Sequence, residues 1–238
     1  MKLFNKSRFK MLQGKRLSNY IVYALGEIIL VVIGILIALW INNWNKEQQI
    51  ATANNDLQEK VLAQLDRDIN AIEDFSKELN ILDQYFLKLL KRAHDSTLVN
   101  ENKMISAVLF DVKDLGLSKQ SVNWIDAAQL DNSKASEMLV NVSQMYKLYF
   151  KNIDDIETFI YKKTTSNLEY LEATQSWYTA LITDLNCNAD CSDYLLNDPS
   201  HHARIASLRL LYIDNYAELV RAFYFDLKHY KEQLETSL

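Results

Sequence analysis

Two cysteines, a few histidines and one carboxylate inside an otherwise apolar run are the residues whose type and spacing could do chemistry. Cys187 and Cys191 are the only thiols and stand as C-x3-C. That spacing admits a disulfide, a pair of free thiols, or a metal or redox role. Outside a reducing compartment two nearby thiols oxidise, so a Cys187–Cys191 disulfide is the expectation. The loop it closes is tiny, so its entropic gain lies below the about 3 kcal/mol of a 15-residue loop, and the bridge pins a local turn. His201 and His202 follow soon after and complete a conceivable Cys2His2 set. Adjacent histidines on a helix point to different faces, however, and this spacing fits no zinc pattern. His94, followed by Asp95, sits at a helix end, where the helix dipole favours a cationic imidazole without any catalytic duty. His229 stands beside Tyr230. Asp154, Asp155 and Glu157 lie among lysines and read as a solvated helix face. No nucleophile elbow, metalloprotease helix or phosphate loop is present. The expectation is a protein that is not an enzyme, with no catalytic, cofactor-binding or metal-ligating residue.

The remaining carboxylate is Glu27, and the element that carries it is the most distinctive in the chain. From Ile21 to Ile41 every other residue is apolar. At 1.5 Å per residue, about 20 such residues cross a hydrocarbon core of roughly 30 Å, so 20–45 is expected to be a transmembrane helix. Lys2, Lys6, Arg8, Lys10, Lys15 and Arg16 precede it without any acid, whereas the far flank opens with Lys46 and Glu47. The positive-inside rule then makes 1–19 a cytoplasmic segment and puts 46–238 in the periplasm, anchored in the inner membrane. Tyr20 and Tyr23 at one interface, with Trp40 and Trp44 at the other, fit that placement. A cleavable signal peptide is the rival reading. Its apolar core is shorter and ends at an A-x-A-like site, whereas this run ends in Trp40-Ile41-Asn42-Asn43-Trp44. Leu3, Phe4, Phe9, Met11, Leu12 and Leu17, interleaved with the bases, suit a segment lying on anionic membrane lipid. Within the span, Glu27 either reaches the headgroups or meets another helix. Gly34 and Ala38 form a small-x-x-x-small pair that permits close helix approach. Glu27, Gly34 and Ala38 are therefore the candidate membrane-helix contacts.

Tyr23-Ala24-Leu25-Gly26-Glu27-Ile28-Ile29-Leu30-Val31-Val32-Ile33-Gly34-Ile35-Leu36-Ile37-Ala38-Leu39, followed by Ile41-Asn42-Asn43-Trp44-Asn45, forms a recognisable signature. It resembles a domain-of-unknown-function family of single-pass Bacteroidota membrane proteins whose span reads YxxGEIxLVVxGILIALxINNWN. Trp40 fills a position that is often polar in that family. The resemblance covers about 25 residues closely and the rest only in architecture. It implies location and fold and carries over no catalytic residue, and it adds weight to a helix-partner role for Glu27.

Beyond the span the chain reads as helices. Only four glycines and one proline occur, and neither type appears from Asn45 to Leu115, which describes long helices rather than sheet. Val61, Leu65, Ile72, Phe75, Leu79, Leu82, Phe86, Leu89 and Ala93 follow alternating steps of three and four, with Asp68 filling the one position that breaks the series. This predicts a helix over 46–95 continuous with the span, weakest at Asn54-Asn55-Asp56. Ser96 to Lys103 reads as a connection and 104–129 as short helices around Gly116. Asp131, Asn132 and Ser133 are N-cap candidates for a second long helix over 133–185, with Leu139, Val142, Tyr146, Tyr149, Ile153, Ile156 and Ile160 as its seam. Asn186 to Pro199 reads as a loop, and Asp198-Pro199 starts a third long helix over 199–236, seamed by Ile213, Tyr216, Val220, Phe223, Leu227, Tyr230 and Leu234. The aromatic stripe of Tyr146, Tyr149, Tyr216, Phe223 and Tyr230 is core at that spacing. The expected fold class is all-α: an N-terminal transmembrane helix running into a long-helix antiparallel bundle, capped by the short middle helices.

Charge narrows the partners. Setting aside the six N-terminal bases and Glu27 leaves 20 bases against 30 acids in 46–238. That balance argues against nucleic acid or anionic lipid as the outer domain's partner. The expected function is a membrane-anchored structural or accessory subunit that binds another envelope protein or itself. The alternative is an extracytoplasmic ligand-sensing bundle, which would signal through a partner because about 20 cytoplasmic residues hold no output module.

Overall fold

The computed structural model describes residues 15–91 and 101–236. Most of the basic segment, Ala93, His94 and the start of the connection expected over Ser96–Lys103 lie outside the described residues. All regular structure among the described residues is helical. The chain divides into two units, 1–53 and 54–238.

Helix α1 (Lys15–Leu89) supplies the described part of the first unit. It contains the one stretch among the described residues that is long and apolar enough to cross a membrane. The large apolar side chains from Tyr20 to Trp44 are exposed, and a Cβ added at Gly26 or Gly34 would meet nothing within 4 Å. No break occurs at Asn54-Asn55-Asp56. Asn54 is buried, and with its amide assigned to satisfy both neighbours it donates to the Gln129 carbonyl (3.1 Å) and accepts from the Asp131 N–H (2.9 Å). A poor helix former is thus held by tertiary hydrogen bonds. At the other end α1 stops at Leu89, short of the expected 95, and Lys91 turns the chain with a left-handed φ of 54°.

In the second unit the remaining helices are α2 (Glu101–Leu109), α3 (Gln120–Ala127), α4 (Lys134–Thr174), α5 (Tyr178–Asp184), α6 (Ala189–Asn197), α7 (Pro199–Arg209) and α8 (Ala217–Glu235). A π-helical turn, Leu210–Tyr216, joins α7 to α8. Ser133 caps α4 by accepting from Ser136 N, and Asp198 caps α7 by accepting from Ser200 N and His201 N. The helix expected over 133–185 ends at Thr174. Gln175 there is extended, and the chain turns so that Trp177 is buried. The expected loop Asn186–Pro199 contains α6, capped by Asn188 with Asp190 in its first turn. Within the third long segment the π turn resets the helical phase, so Tyr212 rather than Ile213 faces the core.

The described seam residues of α1 are all buried, as are most of those on α4 and α8. Polar pairs fix how the segments meet. Glu73 meets Tyr224 and Asp83 meets Arg209, so α1 and the C-terminal segment run in opposite senses. Tyr149 meets Asp226 and Glu157 meets Tyr216, so α4 also opposes that segment. Asn54 reaches the start of α4 through Asp131 while Asp68 meets Tyr146, so α1 and α4 run in the same sense. The short middle helices do not lie across an end. Lys113 N–H donates to Tyr212 Oη, Leu115 N–H to Tyr216 Oη, and Asp126 accepts from Ser143, so residues 113–126 run back along the flank of α4 and the C-terminal segment.

Asp68 is the costliest member of this core. It is 3% exposed in the middle of an apolar seam. Its Oδ2 accepts from Tyr146 Oη at 2.5 Å and its Oδ1 from Gln64 Nε2 at 2.7 Å, while Gln64 in turn accepts from Arg67. Burial pushes the Asp68 carboxyl above its usual range, against the opposing pull of the Tyr146 and Gln64 donors. Tyr146 is pushed up by burial and then by the Asp68 charge. Ser121 nearby is fully buried, and its hydroxyl has no hydrogen-bond partner among the described residues.

Two consequences can be measured by denaturant unfolding. Tyr146→Phe removes the hydroxyl donor from a buried carboxylate and should cost about 1.5–3 kcal/mol. Asp68→Asn keeps a partner for Gln64 and can donate to Tyr146, whose proton then turns to Ser121. Because the folded-state pKa of Asp68 is raised, its stabilising contribution is complete below the ordinary carboxylate pKa and is lost as pH rises through the folded value. Asp68→Asn should therefore gain on the wild type between pH 3.5 and pH 7; a constant difference across that range would contradict the assignment.

Candidate functional site

A second, smaller core sits where α2, the end of α4, α5 and α6 meet. Ile105, Leu109, Leu171, Trp177, Leu181, Cys191 and Leu195 form it. Leu185 closes α5 with a left-handed φ of 50°, and the chain then enters the cysteine loop. Cys187 and Cys191 are joined in a disulfide, their Cα atoms 5.2 Å apart. Cys191 is fully buried in the first turn of α6, and its N–H donates to the Asn188 cap at 2.9 Å. The bridge thus fastens the start of α6, and the lobe's small core holds its far face.

One turn beyond Cys191, Tyr194 packs between Trp177 (ring centroids 5.6 Å) and His201 (5.3 Å). His201 lies in the first turn of α7 and is 2% exposed. Arg204, one turn further, lays its guanidinium over the Tyr170 ring of α4 at 3.6 Å and reaches Asn167 Oδ1 at 3.5 Å. Asn167 is 5% exposed. Asn167 Nδ2, Tyr194 Oη and His201 Nε2 are shielded from solvent, and no hydrogen-bond partner pairs with them among the described residues. Three such atoms in one neighbourhood are exceptional, because buried polar groups are nearly always paired. Burial, aided by the charges of His202 and Arg204, lowers the His201 pKa to about 4, against the pull of Asp198. His201 is therefore neutral at pH 7. This cluster of Asn167, Tyr170, Tyr194, His201 and Arg204 is the candidate site.

The structure brings Cys191 and His201 into adjoining elements but assembles no metal centre. The sulfurs are bonded to each other, and His202 Nε2 lies 3.0 Å from the Leu196 carbonyl, which it meets as a donor. No group of three metal-capable side chains occurs among the described residues. Asp154 and Asp155 are exposed. Glu157 departs from the solvated-face reading: half-buried, it accepts from the Leu115 N–H at 2.9 Å and from the Tyr216 hydroxyl. His229 is exposed against Gln233. In the first unit Glu27, Gly34 and Ala38 are all exposed. His201 and His202, adjacent in sequence, do not act as a pair: His201 is buried, while His202 meets the Leu196 carbonyl. The informative signal was instead His201 and Arg204, three apart, which share a helix face.

Compared with known proteins, the chain matches no family model, no curated protein and no solved structure.

The lobe generates two tests. Alkylation of folded protein should label no cysteine until reductant is added, and two labels without reductant would contradict the bridge. Cys187→Ser should lower stability by less than about 3 kcal/mol, because the loop is so short. The lowered pKa of His201 contributes stability that is present above the unfolded value of 6.5 and lost as pH falls toward about 4. His201→Phe should flatten the stability–pH profile between those limits, and an NMR titration should find the His201 ring neutral at pH 5.5.

Proposed function

We propose that this chain is a membrane-anchored helical accessory subunit that binds another envelope protein and performs no chemistry of its own. The observation that carries the reading lies on α1. Glu27, Gly34 and Ala38 share one stripe of its apolar run and are exposed, whereas the later seam, Val61 to Leu89, is buried by the chain's own segments. A polar and small-residue stripe in hydrocarbon is served by another helix, through close backbone approach at Gly34 and Ala38 and a polar contact at Glu27. The outer domain is read as a bundle of four passes: α1, the returning segment 101–131, α4, and the C-terminal segment of α7, the π turn and α8. The N-terminal bases support a cytoplasmic N-terminus and a periplasmic 46–238 across the inner membrane.

A second reading, an extracytoplasmic ligand-sensing bundle that signals through a partner, draws support from the buried polar cluster around His201. The two readings differ in what co-purifies. Affinity purification in mild detergent should recover a stoichiometric partner; a partner carrying an output domain favours the sensing reading.

For topology, a phosphatase fused after Leu238 should be active and a fluorescent fusion there dark, and the reverse pattern would sink the orientation. For assembly, interhelical polar contacts in membranes average about 0.6 kcal/mol, so Glu27→Leu alone should weaken cross-linked species in native membranes only modestly. Adding Gly34→Ile and Ala38→Ile blocks close approach by bulk and should have the larger effect. An unchanged pattern for the triple variant at equal expression would leave the span a plain anchor.

A further inference from the structure

We propose that Asn167, Tyr194, His201 and Arg204 form a binding site for a small carboxylate. The inference rests on the donors that meet there and holds whichever partner the span engages. Asn167 Nδ2 can only donate. Tyr194 Oη has a proton to give, for which the oxygen of the neighbouring Ser200, whose own proton goes to Asp198 at 2.6 Å, is the one nearby acceptor among the described residues. The neutral His201 ring donates from Nε2 in one of its tautomers. Arg204 adds a half-buried cation whose guanidinium is stacked on Tyr170 and whose hydrogen bond to Asn167 Oδ1 is long. No carboxylate forms a salt bridge with Arg204 among the described residues; the nearby acid, Asp198, is engaged by Ser200 and by the first turn of α7.

The neighbourhood therefore holds several donors and a positive charge, while its one amide oxygen, Asn167 Oδ1, already faces Arg204. A water molecule fits this poorly. Its two lone pairs would serve two donors, but its two protons would find few acceptors. A carboxylate is acceptor-only, offers about four lone-pair directions, and suits a guanidinium held flat by an aromatic ring. Asn167 and His201 are buried, whereas Tyr194 and Arg204 are half-buried. The disulfide contributes by fixing the first turn of α6, from which Tyr194 projects one turn later.

The test uses the full chain in detergent, with acetate as the probe and acetamide as a control of the same shape without charge. Line broadening of the acetate methyl resonance should show binding to the wild type. Arg204→Gln should weaken it by about tenfold or more, the loss expected for one charge-assisted hydrogen bond. Asn167→Asp, nearly isosteric but anionic, should abolish it. Circular dichroism identifies which variants are folded, and Tyr194→Phe, the mildest change, keeps a readout if a buried substitution unfolds the lobe: it should weaken acetate binding while leaving the helical signal intact. Acetamide binding as tight as acetate, no acetate binding by folded wild type, or equal binding by the wild type and the folded variants would each overturn the assignment.

Discussion

The second unit depends on a carboxylate placed where an apolar side chain would ordinarily sit. Asp68 lies in the seam of α1, and removing its charge from water is tolerable only because Tyr146 and Gln64 both donate to it. Apolar seams of alternating threes and fours are nearly self-similar, so burial alone leaves one helix free to slide past another by a heptad at modest cost. The hydroxyl of Tyr146 ends that freedom, since any slip would strand a buried carboxylate. The same device recurs across other helix pairs. Tyr149 meets Asp226 at 2.6 Å, Tyr224 meets Glu73 at 2.6 Å, and Tyr216 meets Glu157. The rings of Tyr149 and Tyr216 lie in the core and that of Tyr224, half-buried, packs against it, while each oxygen reaches an acid on a different segment, so one side chain supplies both apolar area and register. The stacking of Tyr149 on Phe223, with centroids 4.4 Å apart, shows that the ring faces are used as fully as the hydroxyls.

The π turn belongs to the same scheme. Residues 111–119 carry no regular structure, yet Leu115 is buried. Backbone N–H groups in such a segment need partners from elsewhere. Tyr212 and Tyr216, four residues apart on the widened turn, both face it and accept from Lys113 and Leu115. A regular α-helix through 210–216 would also set Tyr212 and Tyr216 on one face, so what the π turn changes is the phase of the segment, which brings Tyr212 and not Ile213 onto the seam. The π geometry is thus the local adjustment by which a helix serves an extended neighbour. Glu157 joins the arrangement from α4, accepting from the same Leu115 N–H and from Tyr216, so three segments meet at one backbone group.

Local periodicity carried most of the fold, and pairings remote in sequence carried the rest. The seams over Val61–Leu89 and Leu139–Ile160 were legible because each position is decided by its own helix. Asp68 was visible as a break in the first seam, but its meaning lay 78 residues away in Tyr146. The π turn left no mark, because Leu210-Leu211-Tyr212-Ile213 offers an apolar side chain at either phase. Helix α6 hid in an apparent loop because its stretch mixes cysteines, acids and asparagines; the Asn188 cap and first-turn Asp190 were its only local signals. Most of the candidate site was illegible for the same reason as Tyr146, since Asn167, Tyr194 and Arg204 come from three different helices.

The disulfide gains its significance from the size of the core around it. The lobe's cluster contains seven buried residues, against the long shared core of the main helices. So small a cluster contributes little margin against the entropy of ordering α5, α6 and the sharp turn at Leu185. A cross-link within one turn adds little global stability, because the loop it closes is short. Its effect is local: it restricts α6 at its first turn, where Asn188 caps the helix and Cys191 is buried. Fraying from that end would release Tyr194 from Trp177 and His201 before the main core was disturbed. The bridge therefore acts on the precision of one small polar neighbourhood more than on the survival of the domain, which accounts for a covalent constraint placed on the smallest lobe and not on the long helices.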